Sequence, residues 1–77
     1  MQLVYIYDIK AKDRKAFNRT KRRFYYHLNK LNLKNAIRTK SVLIVPLGNE
    51  RVMDKFFKGF GKSIEAYKVL AEYIEEL

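Results

Sequence analysis

Cysteine is absent from the 77 residues. That one absence excludes disulfide frameworks, thiolate zinc sites and a cysteine nucleophile. A single histidine, His27, argues against a multi-histidine metal site and against a Ser–His triad. Glycine and proline are scarce, at three and one, and no linker, low-complexity stretch or internal repeat is visible. The longest apolar runs, Leu3–Tyr7 and Val42–Leu47, are far shorter than the roughly 20 residues a membrane helix needs. The N-terminus lacks the basic-then-apolar layout of a signal peptide. A cytoplasmic protein with no membrane partner is expected. Acid is scarce as well: 8 Asp and Glu face 17 Lys and Arg, for a net charge of +9.

What is present is a folding composition, 48% apolar and 14% aromatic, far richer than a disordered basic tail. The length fits one domain spanning residues 1–77. A domain this small buries only about 60% of its unfolded surface, so a homodimer is the expected state.

Leu3–Asp8 is a run of β-branched and aromatic residues without alternation, which predicts a central strand buried on both faces. Asp13 is a good N-cap. Phe17, Thr20, Phe24, Leu28 and Leu31 recur at helical spacing and predict a helix from about Arg14 to Asn32. Ala36–Val45 is extended, with Lys40-Ser41 either a tight turn or bulge between two strands or the middle of one bent strand. Asn49 is positioned to cap a second helix from Glu50, with Val52, Met53, Phe56, Phe57 and Phe60 on its apolar face and Gly59 and Gly61 at its end. Ile64–Val69 reads as an edge strand, and Leu70–Leu77 as a short helix or an extended tail. The order β-α-β-(β)-α-β predicts an α+β fold, the ferredoxin-like βαββαβ sandwich with both helices on one face of an antiparallel sheet.

The charge is not spread evenly. Lys10–Lys40 carries twelve basic residues and only Asp13 in opposition, a net +11, while the remainder carries −2. Arg19, Arg22 and Arg23 fall within about one helical turn. One reading is a solvated helix face. The other is a surface that tracks nucleic-acid phosphates, using Lys12, Arg14, Lys15, Arg19, Arg22, Arg23, Arg38, Lys40 and Ser41. Tyr26 lies off the apolar stripe and is the aromatic least explained by packing.

Asp8 ends the first strand. It is either a turn or cap residue or a metal ligand, because Mg²⁺ takes hard oxygen ligands where phosphates arrive. One carboxylate per chain is too few for a two-metal nuclease, so a shared ion would require two Asp8 side chains at a dimer axis. His27 reads as an ordinary helical residue. Ser41 and Thr39 flank Lys40 and are either turn residues or phosphate contacts.

Tyr5-Ile6-Tyr7-Asp8-Ile9, Lys21-Arg22-Arg23-Phe24 with Leu28, Leu31 and Leu33, and Thr39-Lys40-Ser41-Val42 resemble, in order, three segments of the small CRISPR-associated spacer-acquisition protein family. The resemblance covers Met1 to about Val45. It implies a βαββαβ homodimer that binds double-stranded DNA and bridges a CRISPR integrase, with metal-dependent endonuclease activity on RNA or DNA in some members. It would make Asp8 the metal ligand at the dimer axis, Arg22 and Arg23 backbone contacts, and Ser41 a neighbour of the nucleic acid. The alternatives are a non-catalytic regulator and a ribonuclease toxin of the virulence-associated type, which shares the fold.

Overall fold

A computed structural model describes Met1–Leu77. Four strands, β1 (Gln2–Ile9), β2 (Ile37–Arg38), β3 (Val42–Pro46) and β4 (Ile64–Ala71), alternate with two helices, α1 (Arg14–Lys30) and α2 (Glu50–Lys58). The strands form one antiparallel sheet in the order β2-β3-β1-β4. Both helices lie on the same face of it. This is the ferredoxin-like α+β arrangement, and β4 is an edge strand as its mixed pattern predicted.

The register shows how β1 organises the core. Leu3, Tyr5 and Tyr7 point to the helices and are buried, together with Leu43 and Val45 of β3 and Ile64 of β4. Tyr5 stacks on Phe57 of α2 at 5.0 Å, and Tyr7 meets Phe24 of α1 at 4.8 Å. Phe24 is fully buried and touches the rings of Tyr7, Tyr25, Phe56, Phe57 and Phe60. A strand residue thus meets each helix through an aromatic contact, the kind of pair that adds to plain area burial.

The other face of β1 departs from expectation. Val4 and Ile6 were predicted to be buried like their neighbours, yet Val4 is only half-buried and Ile6 is 45% exposed. A single chain has only two helices, and both cover the same face. The uncovered face carries two apolar rows set by the ladder. Ile37, Ile44, Val4 and Val69 form one, and Val42, Ile6 and Tyr67 the other.

The local signals explain most boundaries. Asp13 accepts a hydrogen bond from the Ala16 amide at 2.8 Å and starts α1. The helix stops at Lys30, two residues short of the predicted Asn32, because Asn32 takes a left-handed φ of 49°, which Asn tolerates better than most residues. Lys40-Ser41 resolves as a turn between two strands: the Thr39 amide donates to the Val42 carbonyl at 2.9 Å. Asn49 does not cap α2. It closes a 3-10 turn, Leu47–Asn49, and its side chain makes no capping bond. Gly61 adopts φ 58° between α2 and β4, where an L side chain would be strained. The predicted end of the last strand at Val69 moves to Ala71, because Leu70 and Ala71 pair with Leu3 and Gln2. Ladder bonds override the helix propensity of that stretch, and Glu72–Leu77 has no regular structure.

Candidate nucleic-acid interface

Helical geometry sorts the cations of α1. With Phe24 and Leu28 facing the sheet, residues at i, i+4, i+7 and i+11 from Lys15 point away from it. That outer row reads Lys15, Arg19, Arg22 and Tyr26, and all four are exposed. Tyr26, the aromatic left over by the packing pattern, is 56% exposed, and the Lys30 ammonium sits 4.5 Å above its ring.

These cations have almost no acid near them. Of the twelve basic residues between Lys10 and Lys40, only Lys10 forms an ion pair, with Asp8 at 3.0 Å. Arg14 and Lys15 also occupy the first turn of α1, where the helix dipole favours acids, and no acid is there. Each such placement costs about 0.3–1 kcal/mol at low ionic strength. The unrelieved charge is a standing destabilisation that a polyanion would remove.

The remaining predicted contacts divide into free and engaged. Lys12, Arg14, Lys15, Arg19, Arg22 and Lys40 make no side-chain hydrogen bond or ion pair. Arg23 and Arg38 are partly used by the fold. The Arg23 guanidinium lies 4.9 Å over the Phe60 ring, while Arg38 lies 5.4 Å over Tyr25 and donates to Asn29 Oδ1 at 2.9 Å. Ser41 is exposed, and its carbonyl accepts from the Tyr7 amide at 2.9 Å, extending the β1–β3 ladder into the turn.

The β2–β3 turn, the end of β1 and the first half of α1 meet at one end of the sheet. Asp8, Lys40 and Ser41 line a cleft of about 170 Å³ there with Tyr7, Phe17, Tyr25 and Lys21. Sequence reasoning counted Lys21 in the charge but not in the site. Its spacing from Phe17 and Tyr25, four residues either way, was the available signal. Burial, then the neighbouring Tyr25, push the Tyr7 phenol well above its usual range, so it stays a neutral wall of this cleft.

Asp8 lies on the uncovered face of the sheet, opposite Glu65 of β4 and paired with Lys10. Its hydrogen bond raises the Lys10 ammonium above the ordinary lysine value. No group of three or more His, Asp or Glu side chains is placed to hold a metal ion. A magnesium ion at Asp8 would therefore take its remaining ligands from a second copy, from bound phosphates or from water.

No helix is long and apolar enough to cross a membrane. No protein-family model, no curated protein and no solved structure matches the chain.

Proposed function

We propose that the protein is a dimeric nucleic-acid-binding module that follows the phosphate backbone of a duplex with α1 and the β2–β3 turn. The observation that carries this reading is the unpaired charge: eleven of the twelve cations between Lys10 and Lys40 have no acidic partner. A solvated helix face ordinarily mixes acids among its lysines and arginines, since like charges one turn apart repel. Counterion release on a polyanion turns the same arrangement into affinity. Nothing in the module needs a metal or a chemical step.

The second copy belongs on the uncovered sheet face, where one apolar row crosses all four strands and the other crosses three. Covering that face leaves the cationic α1 rows of both protomers outward, on opposite sides of the dimer. The resemblance to spacer-acquisition proteins adds a CRISPR integrase as a candidate third component.

The test is a salt titration of duplex binding by the purified protein. Log affinity should fall linearly with log salt, at about 0.9 per neutralised phosphate. Replacing Arg19 and Arg22 together with Ala should weaken binding to every sequence alike and make the slope shallower by about two. A sequence-selective loss, or a slope that does not move, would refute the reading. Ile6→Glu on the uncovered face should yield a folded monomer by sedimentation, and a dimer that persists would place the interface elsewhere.

A further inference from the structure

A groove of about 620 Å³ runs between α1 and α2, on the helix side of the molecule and away from both the uncovered sheet face and the Asp8 cleft. Phe56, Phe60 and Val52 form its apolar part, and Arg23, Lys30 and Lys55 form its rim. No acidic residue lines it. The volume falls inside the range of roughly 300–1,000 Å³ usual for sites that enclose small ligands. Val52 was expected to pack in the core of α2 but is 47% exposed here, so apolar surface is left open beside positive charge.

We propose that this groove holds an unpaired nucleotide of a nucleic-acid strand, its base against Phe56 and the Arg23–Phe60 stack and its phosphates on Lys30 and Lys55. The inference rests on the nucleic-acid reading above and names the part of the ligand that a backbone surface does not recognise. Three features select this occupant. The chemistry required is a flat apolar group carrying negative charge, because the floor is aromatic and the rim cationic. The Arg23 guanidinium already sits over a ring, 4.9 Å from its centroid, and offers a second stacking plane. The rim is also continuous with the outer row of α1, since Arg19 and Arg23, and Tyr26 and Lys30, are i,i+4 neighbours. A strand tracked by Arg19 and Arg22 therefore passes the mouth of the groove. A duplex is too wide to enter between two packed helices, whereas a single base is not.

The experiment compares a blunt duplex with the same duplex bearing a short single-stranded overhang that contains 2-aminopurine. The overhang should bind about tenfold tighter, in line with stacking of one base on protein aromatics. The 2-aminopurine fluorescence should be quenched on binding. Phe56→Leu should abolish both the gain and the quench while leaving blunt-duplex affinity and its salt slope intact. Lys55→Ala, at an exposed rim position, should reduce the gain without touching the core, and so serves if Phe56→Leu fails to fold. Equal affinities for the two duplexes, or a quench that survives both substitutions, would overturn the inference while leaving the backbone-binding module standing. Binding of neither duplex would overturn both. A groove that instead binds an acidic, apolar peptide with the sequence of residues 72–77, with no response from the overhang, would make it a protein-docking site and overturn the inference as well.

Discussion

The two helices share a sheet and a core yet differ in how they treat charge. On α2 both acids are paired, while its cations Arg51, Lys55 and Lys58 are not. The Lys68 ammonium of β4 bridges Glu50 at 2.8 Å and Asp54 at 2.9 Å, and Asp54 also accepts from the Tyr5 hydroxyl at 2.8 Å. Tyr5 is 2% exposed, so this network ties a surface ion pair to the centre of β1. On α1 the charges are open: its lysines and arginines form no ion pair. The same chain therefore builds a satisfied charge network where charge serves the fold and withholds one where it does not. The proposed nucleic-acid reading rests on that open row of α1.

The sharpest way to break this contrast is to remove the centre of the closed network. Asp54→Ala leaves the Tyr5 hydroxyl without its acceptor and Lys68 with one carboxylate. An unsatisfied, largely buried donor costs about 1–3 kcal/mol. For a domain of this size each kcal/mol lowers the melting temperature by roughly 4–8 °C. Calorimetry should show that loss, Asp54→Asn should recover part of it by keeping an acceptor oxygen, and duplex affinity measured well below the transition should not change. An Asp54→Ala protein that melts normally but binds poorly would reverse the assignment of the two helices.

A smaller effect of opposite sign should come from α1. Lys15→Glu places an acid in the first turn, where the helix dipole favours it by about 0.3–1 kcal/mol. It also sets a Glu four residues before Arg19, a pairing that adds about 0.2–0.5 kcal/mol. The variant should melt a few degrees higher and bind duplex more weakly, with a shallower salt slope. Stability and binding moving together would show that the α1 charges belong to the fold after all.

Much of this was legible in the sequence, for stateable reasons. The apolar stripe Phe17, Phe24, Leu28 carried α1, Asp13 carried its start, and the unbroken run Leu3–Tyr7 carried the central strand. The uneven spacing of acids and bases along the chain located the cationic surface. Other features depend on what neighbours supply. Asn49 looks like a cap, but the chain reaches α2 through a 3-10 turn that takes its place. Leu70 and Ala71 look helical, but Leu3 and Gln2 offer them ladder partners. The apolar outer face of β1 looked buried because sequence records that a residue is hydrophobic and not whether its own chain covers it. The groove was invisible for a related reason. Val52 and Phe56 read as core from spacing, and only the way α2 lies beside α1 leaves them facing Arg23 and Lys30.

The least perturbing probe of the same contrast is pH, which titrates the closed network without a mutation. The hydrogen bond from Lys68, and then that from Tyr5, hold the Asp54 carboxyl below its ordinary value of 3.8. The bonds to Asp54 and then Glu50 hold Lys68 above its ordinary value of 10.5. A lowered carboxyl contributes stability that is present above its unfolded value and disappears as pH falls through the folded one. A raised ammonium contributes stability that is present below its unfolded value and disappears as pH rises through the folded one. Burial, then the bond to Asp54, keep the Tyr5 phenol protonated across this range, so its donor survives between the two limits. The network should therefore add a plateau of stability between about pH 4 and 10 with a fall at each end. The effect is small because both ionic partners are partly open to solvent. Melting temperatures measured across pH for Asp54→Asn should show a weakened acid fall. Lys68→Met should weaken the alkaline fall but not erase it, since Lys10 is raised in the same direction by Asp8. An acid fall of full size in Asp54→Asn would mean that carboxylates outside this network, and not the contact between α2 and β4, set the pH response of the fold.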